Sequence, residues 1–455
     1  MSMPSEPSLV TSLLVSKKSK DGGSMHNDLA RLLEPPFLGS SPVSPLDEAA
    51  RASECDICDD SSTISSRPAH LTIAPSRKHK KKVFNFSAGP SCVDAGVLAK
   101  LSAELADYEG SGMGLIEHSH RDAGGPVQTC MVDTCNILRE VMSIPPNYEV
   151  LLMHGGGHAM FAAVPLNLAG EMGAPADFIG DGFWSKRAAG EASKYCTVRH
   201  TAETSSLNDS MYPDVVDWKF SEGAKYVHMT ANETINGLEF HEDPSLPEGA
   251  PPLVADFTST LLSRPVDFTK YGVVYASTGK NLGPSGLVVA VVRKDLIGDG
   301  ELPITPGILS FKAAASSTPI ANLWNTPNVF GIRALQLVLE DLKANGGVEE
   351  MQRRARRRAG ALYDLIDASE GFYTNDVDPK FRSLMTIPLR IKGGDKELER
   401  RFIEESSAAS IYNLVGHPLF GGLRVTVYNQ LPDEAVDILL CFMREFQRRV
   451  GDVYR

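Results

Sequence analysis

The chain has 455 residues, 42% hydrophobic and 22% charged, enough for a large core and more than one domain. Its net charge of −12 argues against nucleic acid or an anionic membrane as a general partner. No run approaches the ~18 consecutive apolar residues of a transmembrane helix, and the seven scattered cysteines form no framework, which points to reduced thiols inside a cell.

The first 82 residues are of another composition. They are rich in Ser, Pro, Lys and Asp, lack periodicity and are expected to be disordered. Cys55-Asp-Ile-Cys58 is a CxxC with no second pair, so no metal is expected. The run Arg77-Lys-His-Lys-Lys-Lys82 reads as a solvated linker rather than a targeting or docking patch. Transit peptides are poor in acids, and Asp56, Asp59 and Asp60 argue against a long one. The cytosol is the expected compartment, with a plastid or mitochondrion left open.

Residues 83–97 are expected to join a small C-terminal domain. Residues 98–346 alternate strand and helix patterns, which implies an α/β large domain on a mostly parallel sheet. In it, Tyr148–Met153 reads as a buried strand, followed by His154-Gly155-Gly156-Gly157-His158 and a helix through Asn167. Glycines at such a turn let backbone N–H groups approach an anion, and a helix N-terminus adds favourable partial charge. No Gly-Lys-Ser/Thr follows, so this is not a Walker loop.

Two further strands carry chemistry. Leu253-Val-Ala-Asp256 ends in a carboxylate, and Val273-Val274-Tyr275 leads through Ser-Thr-Gly279 to Lys280. Alone, such a lysine is ordinarily a solvated loop residue and such an aspartate a turn or helix cap. Together with an anion cradle they suit pyridoxal phosphate: the lysine amine forms a Schiff base with the cofactor aldehyde, and the aspartate keeps a proton on the pyridine nitrogen. Asn325-Thr326-Pro327 reads as a helix start, with Thr326 as cap and Pro327 in the first turn.

Residues 347–455 read as a small α+β domain. It opens on a helix from Val348 whose arginines, interleaved with Met351, Ala355, Ala359 and Leu362, form a wet face. Strands over Leu384–Arg390 and Leu423–Tyr428 and a last helix over Asp433–Arg449 complete it.

The motifs also carry a resemblance. Phe84-Asn-Phe-Ser-Ala-Gly-Pro90, Ser119-His120-Arg121, His154-Gly-Gly-Gly157, Asn232-Glu-Thr234-Ile-Asn-Gly237, Leu262-Ser-Arg-Pro265, Lys280-Asn-Leu-Gly-Pro284, Asn325-Thr326-Pro327 and Gly421-Gly-Leu-Arg424-Val-Thr-Val-Tyr-Asn429 occur in order. From about Val83 to Val450 the chain resembles the phosphoserine aminotransferase family, class V among the fold type I pyridoxal phosphate enzymes. The resemblance implies that Lys280 is the Schiff-base lysine, Asp256 the pyridinium partner and Trp184 the aromatic stacked on the ring. A tryptophan packed for its own sake is the ordinary alternative. It further implies that Thr234 bonds the phenolic oxygen and that Gly157 and His158 face the phosphate, with Gly279 beside the lysine. Asn325 and Thr326 would contact that phosphate from the neighbouring subunit of a homodimer. His120 and Arg121 would bind substrate from the partner, and His417 and Arg424 from the C-terminal domain.

Three positions depart from the family pattern. His158 stands where arginine is usual, Pro418 replaces the arginine of a His-Arg pair, and Gly279 replaces a glutamine. His158 can carry charge near neutral pH if an anion sits beside it, and Pro418 cannot compensate. The implied reaction is transfer of an amino group from glutamate to 3-phosphohydroxypyruvate, in serine biosynthesis. A related transaminase with a non-phosphorylated keto acid is the alternative. A cysteine desulfurase would need a mobile catalytic cysteine in a recognisable loop motif, which the sequence lacks.

Overall fold

A computed structural model describes residues 82–180, 182–202 and 210–451. The readings for the N-terminal tail, its CxxC and most of its basic run lie outside these residues.

Strand β1 (Phe84–Asn85) precedes helix α1 (Ala95–Glu104), which starts because Asp94 accepts hydrogen bonds from the amides of Gly96 and Val97. Helix α2 (Pro126–Met142) opens on proline at its first position and ends where Ser143 turns left-handed at φ 53°. The α/β core follows with β2 (Tyr148–Met153), α3 (Gly156–Leu168), β3 (Pro175–Ile179), α4 (Phe183–Ala192) and β4 (Thr197–Ala202). Then come β5 (Val227–Thr230), the hairpin pair β6 (Asn232–Glu233) and β7 (Leu238–Glu239), β8 (Leu253–Asp256), β9 (Val273–Ser277) and β10 (Val288–Arg293).

The large sheet has the order β2-β10-β9-β8-β5-β3-β4, and only β10 runs against the rest. This is the mostly parallel sheet that the pattern implied. Strict alternation with helices fails between β5 and β10, where no α-helix is described. Pro244, Pro247, Pro251 and Pro252 crowd the first of these crossovers, and proline cannot continue a helix. Alternate residues serve two cores. Val150, Met229, Ala255 and Val274 pack on the α2 face with Leu138 and Met142, while Met153, Val254, Val273 and Tyr275 pack on the α3 face with Phe161.

The chain leaves the sheet through α5 (Phe311–Ala315) and α6 (Val329–Ala344). Thr326 does not cap α6. Asn328 does, its side chain accepting from the Gly331 amide at 3.0 Å, and Pro327 lies outside the helix. The cap thus moves to the asparagine beyond the proline, which is as good an acceptor as threonine.

Helix α7 (Gly347–Asp367), β11 (Tyr373–Thr374), β12 (Thr386–Ile391), α8 (Lys396–Ala408), β13 (Ile411–Tyr412), β14 (Leu423–Thr426) and α9 (Asp433–Gly451) build the rest. β12 pairs antiparallel with both β11 and β14. β1 pairs with β13, and Phe84 and Phe86 enter the core formed by Phe402, Leu439 and Phe446. The arginines of α7 are not all wet. Arg358 is buried, donating to the carbonyls of Tyr428 and Leu431 and to Asp433, so it clamps the start of α9.

Candidate active site

Parallel pairing of β8 with β9 sets Asp256 opposite Tyr275, two residues before the turn that ends in Lys280. Both side chains line one cavity of about 350 Å³. Asp256 is buried, and its Oδ1 accepts the Thr258 amide at 2.8 Å. Burial pushes its carboxyl above the usual range, against the pull of Thr258 and Lys280.

The lysine turn is braced from several sides. Gly279 has φ +103°, a conformation few side chains adopt, and its amide donates to the Gly283 carbonyl at 2.6 Å. That backbone favours glycine at this position. Ser91 donates through its amide to the Gly279 carbonyl and through Oγ to the Lys280 carbonyl. Asn281 donates to Leu261 O and accepts the Asn429 amide at 3.0 Å, tying the turn to the segment after β14. Burial lowers the Lys280 ammonium to about 8, with Asp256 opposing the shift.

Above the lysine lies Trp184. Its ring centroid is 5.9 Å from Lys280 Nζ, and its indole N–H donates to Thr234 Oγ1 at 2.9 Å. Across the cavity, Gly155 has φ +90° and caps α3, so the first-turn amides of Gly157 and His158 have no carbonyl partner within the helix. A Cβ on Gly157 would stand 3.9 Å from both Ser277 Oγ and Thr258 Oγ1, so amides and hydroxyls converge there. His158 packs edge-on to Trp184, with ring centroids 6.0 Å apart.

At the mouth stand His417 and Arg424, both lining the cavity. No carboxylate pairs with Arg424 among the described residues, and burial lowers its guanidinium. Burial and the Arg424 charge lower His417 as well. An uncompensated arginine facing a cavity is costly unless an anion meets it. Pro418 is absent from the lining.

Four named residues lie apart. His120, Arg121, Asn325 and Thr326 do not line the cavity of the single chain, and all but His120 are exposed. Motif reading also gave no role to residues that do line it: Thr230, Asn232, Thr258, Ser277 and Ser285. Small polar residues near glycine turns are too common to single out without the fold. Glu233, quoted only inside its motif, is buried against Trp184 and driven up to about 7 by that burial.

The cavity fits pyridoxal phosphate. A carboxylate, an amine, an aromatic wall and an amide-rich cradle surround it, and two buried polar groups on its wall lack partners. These are the Thr230 hydroxyl and both amide atoms of Asn232, which a polar ring edge would satisfy.

The fold and site define a pyridoxal phosphate-dependent aminotransferase, and comparison with known proteins agrees. The model of the aminotransferase class-V family matches residues 83–439. The phosphoserine aminotransferase of Hahella chejuensis is 43% identical over 366 residues, 80% of this chain and 98% of that protein. That of Pseudomonas aeruginosa is 40% identical over 371 residues, 82% of this chain and 99% of the relative. The solved phosphoserine aminotransferase of Bacillus circulans subsp. alkalophilus superposes with a TM-score of 0.77 at 35% identity, covering 81% of this chain and 99% of its own. A pyridoxal phosphate-bound phosphoserine aminotransferase from Trichomonas vaginalis gives 0.75 at 31% identity, covering 80% and 100%. The chain therefore belongs to the class V aminotransferases, and within them to the phosphoserine aminotransferase family.

Proposed function

We propose that this protein transfers the amino group of glutamate to 3-phosphohydroxypyruvate, giving O-phosphoserine and 2-oxoglutarate. The observation that carries the reading is one cavity holding Asp256, at the end of β8, and Lys280, in the turn after the adjacent parallel strand β9, with the unpaired Arg424 also lining it. When bound, pyridoxal phosphate supplies an electron sink for charge developing at the substrate α-carbon.

The chain's residues supply the rest. Lys280 would hold the cofactor aldehyde, and its amine would move the proton at the substrate α-carbon; its lowered affinity for protons suits it as a base. Asp256 holds a proton on the ring nitrogen. Trp184 would cover the ring, Thr234 and Asn232 would meet its polar edge, and the amides of Gly157 and His158 would take the phosphate. Gly279 fixes the approach of the lysine. Arg424 and His417 orient substrate anions, Arg424 as a fork matched to carboxylate or phosphate.

His120, Arg121, Asn325 and Thr326 act from a second copy in a homodimer. Their place outside the single-chain cavity supports this, as do the exposed apolar side chains of Trp324 and Phe330 near Asn325 in sequence. The five described cysteines are free, which favours the reducing cytosol. No helix among the described residues is long and apolar enough to cross a membrane.

The test is direct. Purified protein given cofactor and glutamate should release 2-oxoglutarate, then form O-phosphoserine when 3-phosphohydroxypyruvate is added. Lys280→Ala should do neither and should lack the visible band of bound cofactor. Wild-type turnover in that variant would overturn the assignment.

A further inference from the structure

We infer that Glu233 is a positioning residue for Trp184, capping helix α4 from outside the helix and so setting where the indole wall lies. The inference rests on the reading of Trp184 as the cover of the cofactor ring.

Helix α4 has a capping problem. Its N-cap is Gly182, which has no side chain to accept the amides of the first turn. Glu233 reaches in from β6 instead. One carboxyl oxygen accepts the Trp184 amide at 3.0 Å and the other accepts the Ser185 amide at 2.8 Å. These are the second and third residues of the helix, the amides an N-cap side chain would bond. The carboxyl group is buried and forms no salt bridge among the described residues; against that burial, the Trp184 and Ser185 amides and the Lys280 charge favour its ionised form. What holds it is the helix end, where positive partial charge favours an anion.

The neighbourhood is shaped around this contact. A Cβ at position 182 would lie 2.4 Å from Glu233 Cδ, so the cap position stays glycine for the carboxyl group to enter. Glu233 itself is anchored, its carbonyl accepting the Gly237 amide at 2.8 Å across the tight β6–β7 hairpin. The next residue, Thr234, receives the indole N–H at 2.9 Å. Two consecutive residues thus hold both ends of Trp184: Glu233 its backbone, Thr234 its ring. A cap formed from β6 fixes α4 to the strand that also carries Asn232 and leads into Thr234. The indole, the hydroxyl and the amide consequently move as one unit.

The experiment uses Glu233→Ala, Glu233→Gln, Trp184→Ala and the double variant Gly182→Ser/Glu233→Ala. In the double variant the serine caps the same amides from within the helix, in the space the glutamate has left. Each protein is titrated with pyridoxal phosphate, and cofactor affinity and the visible circular dichroism of the bound cofactor are read, with thermal stability of the cofactor-free protein recorded beside them. Glu233→Ala should weaken cofactor binding about tenfold, the scale of a lost helix cap, and shrink the dichroic band. Glu233→Gln, which keeps one acceptor oxygen, should fall between. The double variant should recover both signals. Glu233 variants that lower only thermal stability while Trp184→Ala changes both signals would overturn the inference and leave the cofactor reading standing. A Trp184→Ala protein with unchanged affinity and dichroism would overturn the reading of Trp184 and the inference with it. Should Glu233→Ala not fold, Glu233→Gln and the double variant decide on the same two signals.

Discussion

Asp256→Asn isolates one charge with little change of shape. The asparagine Oδ1 can still accept the Thr258 amide that the carboxylate accepts at 2.8 Å, so the end of β8 should keep its geometry. What is lost is a buried carboxylate that, in the proposed reading, faces the ring nitrogen. Two unit charges about 4 Å apart interact by about 4 kcal/mol at an effective dielectric of about 20. If that interaction is needed only as charge develops at the substrate α-carbon, about 4 kcal/mol amounts to nearly 10³ in rate, matching the ~10²–10³ lost on removing one preorganised group in other enzymes. The assay is single-turnover kinetics with saturating glutamate and cofactor, monitored through the visible band. Expected are an intact band, because Lys280 and the phosphate cradle remain, and kcat lower by ~10²–10³. A kcat within a few-fold of wild type would refute the reasoning, since the ring would then be protonated by another group.

Other expectations follow from the same geometry. Burial takes the Lys280 ammonium from 10.5 to about 8, so its neutral form predominates above that pH rather than above 10.5. Covalent capture of pyridoxal phosphate by the cofactor-free protein should quicken about tenfold per pH unit below about 8 and flatten above it, whereas an ordinary lysine would quicken to ~10.4; stopped-flow absorbance distinguishes the two. Mixing Arg121→Ala with Lys280→Ala should restore about a quarter of wild-type activity, since half of randomly reassorted dimers would be hybrids with one intact site. No recovery despite proven subunit exchange would place Arg121 in its own subunit's site. His158→Arg should lower KM for the phosphorylated acceptor about tenfold, the scale of one charged hydrogen bond. His158→Ala should raise that KM more than the KM for a neutral keto acid, and equal changes would reduce His158 to a space-filling role.

Local signals in the sequence located the parts of the site that sit at strand ends. Val273–Tyr275 and Leu253–Asp256 are continuous apolar runs, so their role as central strands was legible, and so was the convergence of Lys280 with Asp256 once they paired. The glycine turn before α3 was equally legible, because strand, glycines and helix occur in one short segment. Features that depend on distant pairing were hidden. Glu233 is one of many carboxylates until Trp184 and Ser185, nearly fifty positions away, arrive at its oxygens. Arg358 looked like its solvated neighbours because helical spacing cannot show that α9 begins above it. At α6 the signal misled, since Thr326 and Asn328 are both good caps and only the path of the chain after Pro327 chooses between them.

Acceptor preference tests the account most directly. His158 and Pro418 stand where the family pattern has two cations, yet Arg424 and His417 line the mouth of the cavity. The measurement is kcat/KM for 3-phosphohydroxypyruvate against hydroxypyruvate, with glutamate as donor. A phosphate met by an arginine fork should favour the phosphorylated acceptor by at least ~10-fold, the contribution of one charged hydrogen bond. Equal values, or a preference for hydroxypyruvate, would contradict the proposed reaction and favour a class V transaminase for a non-phosphorylated keto acid.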